Sequence, residues 1–233
     1  MVRELEQIDS LIVAPLQAAL DLDYVKLHIR ALGYTDDPLI DVYVDQAASY
    51  FEEQTGRQII TATRELWIDA FPFLGATGYN ARIEVPHPPL QSIVSVNYVD
   101  SSGVTQSYDD GGSPETPYWR AVAPAGPYCR RGWVEPLYGR VWPIARGQTG
   151  AVQIRYTCGY GDSPDDVPEL VRGILCFLVG HFDTYRSHTQ EQVISAIPYG
   201  VKEMLDGFKY SAYPSQVLRD VGTDWPVPIG TTP

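Results

Sequence analysis

The stretch VPELVRGILCFLVGHFDTYRSH, residues 167–188, constrains the fold of this chain more than any other. Leu170, Val171, Ile174, Leu175, Leu178, Phe182 and Tyr185 recur at three- and four-residue steps, the period of one helix face. Phe177 and Val179 widen that stripe until the helix is apolar around most of its circumference. Such a helix has to be enclosed by other elements, because each large apolar side chain taken out of water contributes roughly 1.5–3 kcal/mol. The spacing makes Leu170, Ile174, Leu178 and Phe182 the expected structural core. Asp165 or Asp166 is placed to cap the helix start, and Pro168 suits the first turn, where a missing N–H costs nothing. Arg172, His181 and Asp183 interrupt the run well short of the roughly 20 apolar residues that a bilayer span needs.

Other helices are expected around this one. Residues 1–19 show no clear period and contain Pro15, which predicts an extended arm with one short helical turn near Leu5 to Leu11. Asp21 or Asp23 can cap a helix over 23–32, with Leu22, Val25, Ile29 and Leu32 on one face and Gly33 at its end. Asp37 and Pro38 open a second helix, 38–55, whose stripe is Leu39, Ile40, Tyr43, Ala47, Tyr50 and Phe51 and whose stop is Gly56. A last short helix, 200–208, aligns Val201, Met204, Leu205 and Phe208.

From Arg57 the period changes. IITATRELWIDAF, ARIEV, SIVSVNYVD and AVQIRYTCG are β-branched or alternating runs separated by Gly and Pro. Ser101-Ser102-Gly103 reads as a hairpin turn, and Pro86, Pro88 and Pro89 mark a corner. Residues 109–150 are turn-rich and aromatic, suiting long loops or short strands on a small sheet. The expected fold class is therefore α+β, a small helical bundle with a long β-rich insertion and extended N- and C-terminal arms. Its expected parts are an arm at 1–19, a helical module at 20–59 plus 163–209, a β-rich lobe at 60–162 and an extended tail at 210–233.

Chemistry is sparse along the chain. The balance of 17 basic against 29 acidic residues, a net charge of −12, argues against gripping nucleic acid through its phosphates. Cys129, Cys158 and Cys176 form no CxxC pair, and Cys176 sits inside the apolar helix as a small filler, so a reducing compartment is expected. The first residues fail as a signal peptide. There is no GxSxG, and His28, His87, His181 and His188 lack metal-ligand spacing, although His181 and His188 sit seven apart. Gly159-Tyr160-Gly161 lacks the lysine of a phosphate loop and reads as a bend. Asp41, Asp45, Glu52 and Glu53 are best read as a solvated helix face. Arg120, Arg130, Arg131, Arg140 and Arg146 among aromatic residues would suit stacking on sugar or nucleic acid, a reading ranked behind core packing and subunit contact. No catalytic residue, metal or cofactor is expected.

The order of segments is more informative than any one site. DYVKLHIRAL, then AASYFEEQTGRQ, then VPHPPLQSIVSVNYVDSSG, then WP leading to RYTCGYG and VPELVRGILCFLVGHFDTYR, and finally IPYGVKEML together resemble the head–tail connector (adaptor) proteins of tailed bacteriophages and gene-transfer particles. The resemblance covers about residues 20–209. It implies a non-enzymatic virion protein with no cofactor, located at the neck after assembly in the host cytoplasm. It further implies a ring of about twelve copies beneath the portal protein, a cyclic homo-oligomer that extends the DNA channel and offers a platform to the tail or a stopper protein. A channel through which DNA slides without sequence-specific binding is well served by negative charge. The alternative is a virion module whose aromatic β lobe binds a glycan or cell-surface ligand.

The tail lies outside the resemblance. Tyr210, Tyr213, Leu218, Trp225 and Ile229 are apolar anchors on a segment stiffened by Pro214, Pro226 and Pro228. They are expected to bind a groove on the portal or on a neighbouring subunit.

Overall fold

The computed structural model describes residues 7–30, 36–72, 82–108, 118–184 and 199–209. Tyr185, His188, Leu32, Gly33 and the tail anchors Tyr210, Tyr213, Leu218, Trp225 and Ile229 lie outside them. The fold is α+β, with four helices and two antiparallel sheets among the described residues.

Helix α1 (Leu22–Ile29) starts at Asp21, whose Oδ1 accepts from the backbone N–H groups of Asp23 at 2.7 Å and Tyr24 at 3.3 Å. It stops at Ile29, with Arg30 in the left-handed region (φ 57°), earlier than the expected end at Gly33. Helix α2 (Asp37–Thr55) ends on Gly56 at φ 66°, the conformation for which glycine is favoured. Asp36 rather than Asp37 occupies its cap position, and Asp37 instead pairs with Lys26 of α1 at 2.8 Å. Ile40, Val44, Ala47, Phe51 and Thr55 form the buried stripe. Leu39, expected in that stripe, is exposed, because the face centred on Ile40 and Val44 turns its neighbour outward.

Helix α3 (Glu169–Thr184) buries Ile174 and Leu178 completely, together with Val171, Leu175, Cys176 and Val179, while Phe182 packs half-buried on the same core. Leu170 departs from expectation: it is 45% exposed. It is seven residues from Phe177, nearly in line with it along the helix, and both fall on the outward side. The expected cap is also different. Asp166 accepts from the Ser163 N–H at 3.0 Å within the 3-10 turn Pro164–Asp166, and the carbonyl of Pro168 receives the first helical N–H, from Arg172. Helix α4 (Tyr199–Phe208) buries Val201, Leu205 and Phe208 but leaves Met204 exposed, contrary to the expected four-residue face.

Strands β1 (Gln7–Val13), β2 (Ala62–Ile68), β4 (Leu90–Val99), β5 (Thr105–Ser107) and β8 (Val152–Cys158) form one sheet in the order β1-β2-β8-β4-β5. Strands β3 (Ile83–Glu84), β6 (Trp119–Val122) and β7 (Trp133–Pro136) form a second, ordered β3-β7-β6. The β4–β5 hairpin turns over Ser101-Ser102-Gly103, where Asp100 accepts from the N–H groups of Ser102 and Val104. Residues 7–13 of the arm are extended, as the lack of period implies, but over residues 7–11 the chain is strand and not a helical turn. It lies antiparallel on β2, with Asp9 opposite Leu66.

The buried residues separate into two clusters. One gathers α1 to α4 with Ile59 and Ile60, and the other gathers the two sheets around Leu66, Val96, Val134 and Ile154. The chain returns from β8 to the helices through Gly159, at φ 131°, where a Cβ would stand 2.7 Å from the backbone of Ile60 and Thr61. Only glycine passes there without displacing the neighbouring chain.

Candidate assembly surface

The polar clusters of the structure hold elements together. Arg64 of β2 donates from Nε to Asp9 Oδ2 at 2.7 Å, Tyr156 of β8 donates to Asp9 Oδ1 at 2.6 Å, and His87 Nε2 lies 3.1 Å from Oδ2. Burial works to raise the Asp9 carboxyl, but the hydrogen bonds from His87, Tyr156 and Arg64, with the Arg64 charge, bring it down to about 2. Asp9 thus fastens β1 to two other strands as a group that is a carboxylate at neutral pH. Arg64 also donates to Gln58, and Gln58 donates to Glu52 of α2 at 2.7 Å, which carries the network into the helical layer.

A second junction centres on Arg57, which is buried. Its Nε donates to the Phe208 carbonyl at 2.8 Å and its Nη2 to the Cys129 carbonyl at 2.9 Å, while Tyr128 stacks on the Phe208 ring at 4.8 Å. A cation on the last carbonyls of α4 is the charge a helix C-terminus favours. The end of α4, which residues 210–233 follow in sequence, is thereby fixed to the β region. Neither junction was foreseen. The change of period marks Arg57 as a boundary, but nothing local marks it as a joint.

These clusters offer little to reaction chemistry. Burial pushes the thiol of Cys158 up to about 12 and that of Cys176 up to about 11, so neither is a thiolate at neutral pH. Among the described residues no group of three or more His, Cys, Asp or Glu side chains is arranged to hold a metal ion, and no helix is long and apolar enough to cross a membrane. His181 sits beside Phe182, ring centroids 6.1 Å apart.

Most of the aromatic residues are spent on internal packing. Trp142 stacks on Phe71 at 4.7 Å, Tyr108 meets Tyr118 at 5.3 Å, and Arg140 lies 4.5 Å over the Tyr118 ring. Arg120 pairs with Glu135 across β6 and β7. The helices also leave apolar side chains outside. Leu27 of α1 is 80% exposed and Phe177 of α3 is 49% exposed, with Tyr24 and Leu170 beside them. His28 meets the Phe177 ring edge-on at 5.6 Å, and Arg172 lies 5.9 Å from the Tyr24 ring, so the two helices present one connected face. Contiguous apolar faces of this kind mark contact surfaces. At the opposite end of the chemistry, β1 has no partner strand on its outer side among the described residues, and Ile8, Leu11, Ile12 and Val13 are half-exposed there.

The same fold occurs in gene transfer agent (GTA) particles. A chain from the neck of an empty GTA particle, computed with C6 symmetry, superposes with a TM-score of 0.66 at 21% identity, over 87% of this chain and 95% of that one. A chain from the virion of a native GTA particle gives 0.65 at 22% identity, again over 87% and 95%. A chain from the neck of a native GTA particle, computed with C12 symmetry, gives 0.63 at 20% identity, over 87% and 94%. At these identities the likeness is one of fold. No family model and no curated protein matches the chain by sequence.

Proposed function

We propose that this chain is a structural, non-catalytic subunit of the neck of a phage-like particle, a head–tail adaptor that assembles as a ring beneath the portal. The observation that carries the reading is the connected apolar face of α1 and α3 on a fold shared, over nearly its whole length, with chains of GTA particle necks. In a cyclic ring a neighbouring copy covers that face, and about twelve copies is the number that the C12 neck suggests. Such a ring prolongs the portal's DNA channel, and a chain of net charge −12 lets DNA pass without holding its phosphates. Residues 20–59 with 163–209 build the ring, residues 60–162 form the lobe beside it, and a stopper or tail-completion protein docks on the assembled platform.

The tail completes the proposal. In sequence it follows α4, whose end is held by Arg57, and Tyr210, Tyr213, Leu218, Trp225 and Ile229 are suited to an extended peptide lying in a groove of the portal. The test is co-sedimentation of the whole chain, and of the chain without residues 211–233, with portal-bearing heads. The whole chain is expected to sediment with the heads and the truncated one to stay behind with an unchanged melting temperature. Failure of the whole chain to bind portal-bearing heads would overturn the adaptor reading.

A further inference from the structure

We infer that, in the ring proposed above, the loop 137–148 of one copy seats in the groove between the N-terminal arm and α2 of the next. The groove has a volume of about 470 Å³ and is lined by Leu11, Pro15 and Leu16 of the arm, by Asp45 and Ala48 of α2, and by the buried Ile60. Asp45 and Glu52 of α2 line the groove and the helix carries no basic residue, so its helical side is acidic. The groove therefore asks for an apolar side chain flanked by cations.

The loop supplies that combination. Tyr138 is wholly exposed and Ile144 is 89% exposed, with Val141 between them, and Arg140 and Arg146 flank the apolar residues. The loop is nevertheless firmly held at its base. Trp142 is buried against Phe71, Tyr108 donates to the Val141 carbonyl at 2.7 Å, and the Arg146 N–H donates to the Val99 carbonyl at 2.8 Å. Ile144 thus projects from a pinned segment, and seating it costs little ordering. Three exposed apolar side chains on one short loop, Tyr138, Val141 and Ile144, suit a surface that a partner covers.

Charge decides which surface receives it. The α1 and α3 face carries Arg172 beside Tyr24, whereas the α2 side of the groove carries acidic and no basic residues, which suits Arg140 and Arg146. The tail is a poorer occupant, because Asp220 and Asp224 would meet the acidic rim. Donor loop and acceptor groove are different patches, so the contact is head-to-tail, the kind that generates rings when the rotation closes.

Cross-linking of the whole chain tests this. Two variants, Ile144→Cys and Ser49→Cys, place thiols on the loop tip and on the exposed groove wall, while the three natural cysteines are buried. Mixed at a concentration where sedimentation shows rings and oxidised mildly, they are expected to form a covalent dimer that neither variant forms alone. Ile144→Asp is expected to weaken ring formation at least tenfold with its melting temperature unchanged. Rings that form without the mixed disulfide would overturn the contact and leave the ring reading standing. A disulfide from Ser49→Cys to Leu218→Cys in place of the loop would assign the groove to the tail and overturn the inference. A chain that never associates, alone or on portal-bearing heads, would overturn both readings together.

Discussion

Helix α3 and strand β8 are the central elements of their layers, and both are apolar along most of their length. Strand β8 is flanked by β2 and β4, and Val152, Ile154, Tyr156 and Cys158 are fully buried, with the one polar group among them, the Tyr156 hydroxyl, donating to Asp9. Helix α3 buries Ile174 and Leu178 as deeply, yet keeps Leu170 and Phe177 in water. Around β8 the sheet is satisfied by its own packing and polar network, although its edge strand β1 has no outer partner strand among the described residues. The helical layer saturates one side of its central helix and leaves the other for something outside the chain. In the proposed ring, this largely apolar helix has two jobs, folding on its inner side and assembly on its outer side.

Substitutions on the two sides of α3 should separate those jobs. Leu178→Ala removes a fully buried side chain and is expected to cost about 2–5 kcal/mol, read as a lowered midpoint in denaturant. Asp9→Asn tests the closure of the sheet. It strips β1 of its ion pair with Arg64 and is expected to cost about 1–3 kcal/mol. The same residue sets an acid dependence. Its carboxyl is held low in the folded state, so its contribution is complete above the ordinary carboxylate value near 4 and is lost as pH falls toward about 2. The Asp9→Asn chain should lose less stability than the natural one across that window, measured by denaturation at stepped pH. His181→Gln, beside Phe182 at the end of α3, should cost under about 1 kcal/mol, since the ring is only half-buried. Phe177→Ser should cost no more than about 1 kcal/mol, because half of the side chain already faces water. Its effect should appear in sedimentation instead, as a failure to form rings. If Phe177→Ser unfolded the chain, or Leu178→Ala abolished association without loss of stability, the division of α3 into two working sides would collapse.

The same division explains what the sequence discloses. The helical period of 167–188 and the β-branched runs after Arg57 identify α3, β2, β4 and β8, because these elements carry their own period. The hairpin at Ser101-Ser102-Gly103 and the cap at Asp21 are equally local. Period marks which residues avoid water but not whose surface covers them, so Leu170 was grouped with Ile174 and Leu178 although it points away. The Asp9 network joins residues 55 and 147 positions apart, and the Arg57 joint spans 151. No window of sequence contains both ends of such contacts. Strand β1 was legible as extended chain but not as part of a sheet, since its burial pattern lacks the alternation of a half-buried strand.

The central claim is that the outward face of α1 and α3 is a subunit contact in a particle neck. Imaging the neck of particles assembled with this chain, to a resolution that separates side chains, tests it most directly. The account predicts a closed ring in which Leu27, Leu170 and Phe177 of each copy are buried against its neighbour. A neck in which those three side chains face solvent, or particles in which the chain lies elsewhere than the neck, would contradict it.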